Sequence, residues 1–485
     1  MHLKTIFAGG IILATSAGPV LAHGFGNRFD LPLPLGYFQW GAAMAVLFSF
    51  LVIALVLRRA GRAEDYPKLN LLRWGVGRAL QHPLFLGPVR IVSVGLFLLV
   101  VWAGLFGNQN ASRNLVPTAV WVYWWVGLGF WSAFLGDIQG LVNPWRIIYS
   151  WVDGAVRRIG IPEGLSLELP YPQWAGVWPG VILFLGFAWI ELVWGAASSV
   201  PANLAIVGLI YSIITWTGMI LFGPQVWIRG GEIFSIVFAM LGRFAPLQSV
   251  VPGEGSPRQL ILRGYGAGLL NRAPVSFSMT VFVLLALATV TFDGFLETPL
   301  WGAILDVLHQ TLMPQAERTH WALFTLALVF VPGFFLVTFL LFMWVMARLQ
   351  SSGISIIALS GYFVFSLVPI ALAYHLAHYL LFFMVGGQLI IPLASDPMGF
   401  GSDWLGTSGY RVDIAILNAK TSWYVGVTSI VLGHIFAVYL SHAQALRLFK
   451  DRAMALRSQI PMLLLMVGYT MISLWIIAQP VVEFG

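Results

Sequence analysis

The chain has 485 residues, of which 59% are hydrophobic and only 9% carry a charged side chain. A soluble globular protein carries about 25% charged residues, so the composition predicts an integral membrane protein. The net charge of +7 does not indicate nucleic-acid binding, because the basic residues punctuate apolar runs and form no polar domain. The absence of cysteine excludes disulfides, iron–sulfur clusters, thiolate zinc sites and covalently attached haem.

The first 22 residues are typical of a cleaved secretory signal peptide. A basic start at Lys4 precedes an apolar stretch from Ile6 to Ala17, and Ala22 occupies the small-residue cleavage position. The mature chain would then begin at His23. Because an α-amino group has an unperturbed pKa of roughly 7.7–8.0, the amine and imidazole of a terminal histidine can chelate one ion together. This pattern predicts copper as the cofactor, with zinc or another divalent transition metal as the alternative.

Ten apolar runs follow, each long enough to cross a bilayer core of about 30 Å, which takes around 20 helical residues. They predict an all-α polytopic membrane protein in which residues 23–485 form a single domain. The second run is short, and its helix is expected to begin before Arg90. The runs lie near 38–57, 91–106, 118–136, 175–195, 202–222, 276–293, 322–343, 356–378, 423–442 and 460–478.

The basic residues predict the orientation of these spans. If His23 lies outside the cytoplasm, inner segments hold 20 of the 26 Lys and Arg residues. Outer segments then hold 5 of these residues, and the remaining one is Lys4 in the signal peptide. Such an excess of positive charge is typical of cytoplasmic loops. Both mature termini are therefore expected to face the periplasm or its equivalent.

Three of the connecting loops define the two faces of the predicted domain. The inner loop 223–275 is partly apolar, and its segment 231–245 is expected to form an interfacial helix that ends before Pro246. The outer loops are 294–321 and 392–422. The glycine-rich run 264–268 is not a nucleotide site, because no buried strand precedes it and no Lys-Ser/Thr pair follows.

Histidines in the last spans suggest metal or proton chemistry. His375 and His378 are three residues apart, so their side chains share a helix face and can bind one ion. A rise of about 1.5 Å per residue places both toward the outer boundary, on the same side as His23. His434 lies close to mid-membrane by the same rise. There it is either a metal ligand or proton relay, or a neutral imidazole bonded between helices.

Acidic residues also lie near the outer boundary. Glu191 closes the fourth span, Asp293 and Glu297 close the sixth at i,i+4 spacing, and Asp396 opens the longest outer loop. These carboxylates are either solvated helix ends or inward-facing groups. If they turn inward, they can complete a metal shell or act as a general base beside metal-bound water. Asp396, Glu191 and Asp293 are therefore the candidate catalytic residues.

Residues 23–34, HGFGNRFDLPLP, resemble the opening of bacterial membrane proteins commonly named fenitrothion hydrolases. Further along the chain, Ala377-His378-Tyr379, Ser395-Asp396-Pro397 and Gly433-His434 resemble the C-terminal region of that family. The resemblance covers the mature chain at low similarity, with specific motifs only at its two ends. It implies cleavage of organophosphate triesters. The positions that it marks are His23, Asp30, His378, Asp396, His434 and His442.

Two classes of function follow. In the first and leading one, the protein is a metal-dependent enzyme of the bacterial inner (plasma) membrane that acts on a lipophilic substrate. Its chemistry would be hydrolysis by metal-bound hydroxide or copper–oxygen chemistry. In the second, it is a membrane carrier or assembly factor for a metal ion or small solute. Expected partners are the lipid bilayer, the substrate and a partner membrane subunit, with no nucleic acid. The expected metal ligands are His23, His375, His378 and His434.

Overall fold

The computed structural model describes residues 29–57, 67–80, 82–250, 259–312, 316–350, 353–449, 451–479 and 482–483. Within these ranges the chain is mostly helical, and its strands are short. Nine helical stretches in the described part are long and apolar enough to cross a membrane. The chain is therefore an all-α, multi-pass membrane protein, as its composition predicts.

The chain up to residue 242 contains both long and short helices. These helices are α1 (Leu35–Val56), α2 (Gly75–Leu80), α3 (Pro83–Phe106), α4 (Leu115–Pro117), α5 (Leu128–Phe134), α6 (Gln139–Val142), α7 (Pro144–Arg158), α8 (Trp178–Leu192), α9 (Pro201–Phe222), α10 (Pro224–Gly230) and α11 (Ile233–Gly242). A π-helix, Thr118–Gly127, joins α4 to α5, so residues 115–134 form one continuous helical segment.

The rest of the chain consists mainly of long helices. They are α12 (Phe277–Leu296), α13 (Pro299–Leu312), α14 (Ala316–Gln350), α15 (Ile356–Phe363), α16 (Val368–Gly386), α17 (Ile390–Ser395), α18 (Ala419–Leu448) and α19 (Arg452–Ala478). The strands are β1 (Phe29–Asp30), β2 (Leu69–Asn70), β3 (Leu247–Val250), β4 (Gln259–Leu262) and β5 (Val482–Glu483).

Short polar residues set where several of these helices begin. Ser276 Oγ accepts from the Met279 amide at 3.2 Å before α12, and Asn418 Oδ1 accepts from the Thr421 amide at 2.8 Å before α18. Asp451 caps α19 in the same way. These contacts satisfy amides of the first turn that have no partner within the helix. The starts of these three helices are thus encoded locally.

Two small sheets mark the two faces of the helical bundle. β1 pairs in parallel with β5, which joins the two ends of the described chain on one face, the termini side. On the opposite face, β4 pairs antiparallel with both β2 and β3. We call this face the sheet side.

The pairing of β1 with β5 requires an even number of crossings, because each crossing moves the chain to the other side. The nine long helical stretches supply nine crossings, and the segment 115–134 supplies the tenth. The Leu115 amide donates to the Pro397 carbonyl at 3.1 Å on the termini side, and Gly136 pairs with Leu247 on the sheet side. Every predicted span therefore has a helical counterpart. The second begins at Pro83, ahead of Arg90 as expected.

The segment expected to lie along the membrane surface has a different environment. It contains α11, in which nine of ten residues are buried by other parts of the protein. An interfacial helix needs a polar face toward water, whereas this helix is apolar all round and packs inside the bundle. Its neighbours include α5 and α8.

Candidate functional site

Polar side chains from three spans meet near the termini side of the bundle. Glu191 is the penultimate residue of α8, and Asp293 lies in the last turn of α12. His378 and Tyr379 are neighbours in α16, which packs against α12. We call these four residues the acid–histidine cluster.

Asp293 is the centre of the acid–histidine cluster. Its Oδ2 atom lies 2.9 Å from His378 Nε2 and accepts a hydrogen bond from the Tyr379 hydroxyl at 2.7 Å. The Tyr379 hydroxyl also lies 3.3 Å from Glu191 Oε1. Because a tyrosine hydroxyl carries one proton, it donates to one carboxylate at a time. Tyr379 thus links two carboxylates that compete for the same donor.

Three of the four residues are shielded from the surface of the protein, and Glu191 is partly exposed. Asp293 is 7% exposed and Tyr379 is 2% exposed. A carboxylate in such surroundings is costly unless hydrogen bonds or an opposite charge compensate it. His378 and Tyr379 supply this compensation from α16, so the contacts that stabilise Asp293 are contacts between helices.

His375 lies beside the cluster, one turn before Tyr379 on α16. Its ring centroid is 4.8 Å from that of Tyr379 and 5.7 Å from that of Trp125, which lies in the π-helix. Gly129 makes room for this imidazole, since a Cβ atom there would lie 3.1 Å from His375 Nε2. π-helical turns occur frequently at functional sites. The π-helix therefore borders the candidate site directly.

The structure brings together four of the predicted site residues. Glu191, Asp293 and His378 belong to the acid–histidine cluster, and His375 packs against it. The remaining member, Tyr379, was not predicted. Its sequence signals are its place in the Ala377-His378-Tyr379 motif and its position one turn after His375.

Other predicted site residues lie elsewhere. The Asp396 carboxylate accepts from the amides of Phe400 (3.1 Å) and Gly401 (2.6 Å), so it organises its own loop. His434, fully buried in α18, has Nδ1 2.8 Å from the Ile430 carbonyl one turn earlier, so that nitrogen donates. This is a local contact within one helix. His23 lies outside the described residues.

The predicted metal centre has no counterpart in the described part of the chain, where no three His, Asp or Glu side chains are grouped to hold an ion. His375 and His378 do lie on neighbouring turns. However, His378 Nε2 is engaged by Asp293, and His375 Nε2 faces Gly129.

Comparisons with known proteins point to transport. The chain is similar to the Inner membrane metabolite transport protein YgcS of Escherichia coli (strain K12), with 25% identity over 318 residues. The matched region makes up 62% of this chain and 63% of that protein, so it spans less than two thirds of the relative's length. No protein-family model matches the chain, and no solved structure matches it.

These findings correct two predictions. The chain's similarity is to a transport protein, so the assignment to fenitrothion hydrolases is wrong. The leading hypothesis of a metal-dependent enzyme is contradicted with it, and the findings favour the carrier alternative. The C-terminal motifs behind the resemblance have structural explanations: His378 is bonded to Asp293, Asp396 organises a loop, and His434 bonds its own helix.

Proposed function

We propose that this protein is a carrier that moves a small polar solute across the membrane. The observation that carries the proposal is the acid–histidine cluster, in which ionisable side chains of three spans are hydrogen-bonded inside the bundle. Ionisable residues within membrane proteins are costly and mark solute, ion or proton pathways. The similarity to a metabolite transport protein supports the same reading.

The cluster suits a carrier because its bonds join helices that can move relative to one another. α8 contributes Glu191, α12 contributes Asp293, and α16 contributes both donors. A solute with hydroxyl or amine groups can replace Tyr379 or His378 as the donor to a carboxylate. Binding of such a solute would therefore loosen α16 from α8 and α12. This links solute binding to helix movement, which a carrier requires.

The proposal includes an orientation in the inner membrane. Most basic residues lie in the segments that connect spans on the sheet side, and such an excess favours the cytoplasm. The termini side would then face the periplasm. In this orientation the acid–histidine cluster lies at the periplasmic end of the bundle, where a solute from outside would first meet it.

Uptake of a labelled metabolite mixture tests the proposal without prior choice of solute. Purified protein is reconstituted into liposomes, which are incubated with an isotope-labelled extract of polar metabolites and analysed by mass spectrometry. We expect at least one metabolite to enter by a saturable process. Asp293→Asn should slow this entry about 10-fold or more, since a hydrogen bond to a charged group contributes about 1.5–3 kcal/mol.

The matched control is Asp306→Asn, which makes the same change at an exposed aspartate of α13. Its uptake should equal that of the unmodified protein. The proposal is contradicted if no metabolite enters faster than into protein-free liposomes, or if the two variants behave alike.

A further inference from the structure

The segments that precede α7 and α11 enter the bundle from the sheet side and reach the middle of the membrane. In the 22-residue helix α9, Tyr211 and Ser212 are the central pair. The Tyr211 hydroxyl donates to Glu232 Oε1 at 2.5 Å, and Trp145 Nε1 donates to Ser212 Oγ at 2.8 Å. Glu232 and Trp145 therefore lie within one side-chain length of the midpoint of a span.

A contact with α3 shows independently that the segment before α7 lies at this depth. Ser93 lies near the middle of this 24-residue helix, and its hydroxyl donates to the Val142 carbonyl at 2.5 Å. Val142 ends α6 and lies two residues before the start of α7. The chain thus reaches mid-depth at 142–145 and again at 232.

From these points α7 and α11 each run back to the sheet side. After α7, the Leu167 amide donates to the Ile220 carbonyl near the sheet-side end of α9. After α11, Leu247 pairs with Gly136. Both are half-helices whose first turns meet inside the bundle. Broken helices of this kind surround the solute path in several carrier folds.

The Glu232 carboxylate holds these two first turns together. Glu232 is 0% exposed and accepts from Asn143 Nδ2 at 3.0 Å, as well as from Tyr211. It also caps α11 by accepting from the amides of Phe234 (3.2 Å) and Ser235 (2.8 Å). One carboxylate therefore joins α9, α11 and the segment that begins α7.

Asn143 completes the connection, because its Oδ1 atom accepts from the Arg146 amide at 2.9 Å and caps α7. The residues that cap the two half-helices are thus bonded to each other. We call this contact the Asn143–Glu232 junction.

A row of aromatic rings leads from the junction to the acid–histidine cluster. The ring centroid of Phe234 lies 5.4 Å from that of Phe187 in α8, and the ring centroid of Phe187 lies 4.9 Å from that of Trp125. Trp125 in turn contacts His375, which contacts Tyr379. The two polar sites are therefore joined by one continuous set of ring contacts through the closed interior.

We propose that the Asn143–Glu232 junction is the sheet-side gate of the solute pathway and that this structure shows it closed. The inference rests on the proposed carrier function. Opening the gate separates α7 from α11 and breaks the bond between Asn143 and Glu232. Gln139 of α6 then becomes accessible from the sheet side. In the closed gate it is 1% exposed, and its side-chain amide makes no hydrogen bond within the described residues.

Cysteine accessibility tests the gate, because the natural chain has no cysteine and a single introduced thiol has no background. Gln139→Cys is placed in the unmodified chain and in chains that also carry Glu232→Gln or Glu163→Gln. A membrane-impermeant maleimide is applied separately to each side of membrane vesicles. We expect labelling from the sheet side to be about 10-fold faster with Glu232→Gln. Glu163→Gln, at an exposed loop position, should leave the rate unchanged.

Tyr211→Phe provides a second test that keeps the carboxylate and serves if Glu232→Gln does not fold. It should also speed labelling from the sheet side. Equal labelling rates in all chains would show that the junction only caps the two helices, and would overturn the gate. Faster labelling from the termini side alone would also overturn it. Metabolite uptake is recorded in the same vesicles. Normal uptake with unchanged labelling refutes only the gate, whereas accelerated labelling without any uptake refutes the carrier function.

Discussion

The Tyr379 hydroxyl is the group that ties the two carboxylates of the acid–histidine cluster together. Tyr379→Phe removes this donor and leaves the ring in place among its aromatic neighbours. We expect solute uptake to fall by about 10-fold, since the two carboxylates lose the buried donor that they share. Initial uptake rates in proteoliposomes measure the effect.

Tyr410→Phe is the control for this change, because the Tyr410 hydroxyl donates to Gln388 at 2.8 Å on the same side of the membrane but away from the cluster. Its uptake should stay within about twofold of the unmodified protein, as expected for a loss below about 0.4 kcal/mol. An equal loss in the two variants would indicate a general packing effect and count against a role for Tyr379.

The close approach of α16 and α18 depends on Gly433. A Cβ atom at this position would lie 2.4 Å from Ala373 Cβ and 2.7 Å from the Pro369 carbonyl oxygen. Small residues permit such backbone contacts between membrane helices. Gly433→Ala should destabilise the bundle by about 1–3 kcal/mol, the usual effect of overpacking. Thermal unfolding in detergent measures this loss.

Gly468→Ala in α19 is the matched variant, because nothing lies within 4 Å of its added Cβ. Its Tm should equal or exceed that of the unmodified protein, since alanine favours helix over glycine. If Gly433→Ala unfolds at the same temperature, the two helices do not pack as closely as described.

The long spans follow from the sequence because each is an apolar run, and several also have local start signals. The run predicted at 118–136 forms a helical segment at 115–134 even though its centre is a π-helix. The depth of the half-helices could not be found in this way. The apolar segment 231–245 predicts a helix but not its place inside the bundle. α7 has Asn143 as its N-cap and Arg146 in its first turn, so it has no apolar run of the length that marks a span. Its depth comes from tertiary contacts with α3 and α9.

The candidate site was only partly predicted, because the sequence indicates the depth of a residue along a helix but not the direction of its side chain. Depth along a helix places Glu191, Asp293 and His378 near one boundary, and the structure agrees. The rotation of each helix about its axis is not encoded locally, so the sequence could not show that Tyr379 bridges two carboxylates. The sequence also could not show that Asp396 lies apart from these residues, because an aspartate that opens a loop can turn inward or accept amides of that loop.

For the whole molecule, the orientation of the two faces is a prediction from charge. Lys420→Cys lies on the termini side at the start of α18, and Lys68→Cys lies on the sheet side before β2. In intact cells, an impermeant maleimide that crosses only the outer membrane should label the first. The second should react only after the inner membrane is permeabilised.

The reverse pattern would place the sheet side outside and contradict the orientation. Equal labelling of both positions in intact cells would contradict the separation of the two faces. Each variant replaces an exposed lysine, so neither should disturb the packing of the bundle.

The acid–histidine cluster and the Asn143–Glu232 junction give the molecule two interhelical closures at different depths. One lies near the termini side and the other at mid-membrane, where we propose that breaking its bonds opens the path toward the sheet side. A carrier needs closures that open alternately, because a path open at both ends would be a channel. The row of rings between them is the interior that a solute would cross.

Solute exchange tests the carrier function most directly. Proteoliposomes preloaded with the unlabelled form of a transported metabolite are diluted into its labelled form. We predict that preloading accelerates labelled uptake several-fold and that the metabolite leaves the assay chemically unchanged. Uptake without acceleration would contradict a carrier. Chemical conversion of the metabolite by the purified protein would show that the protein is an enzyme.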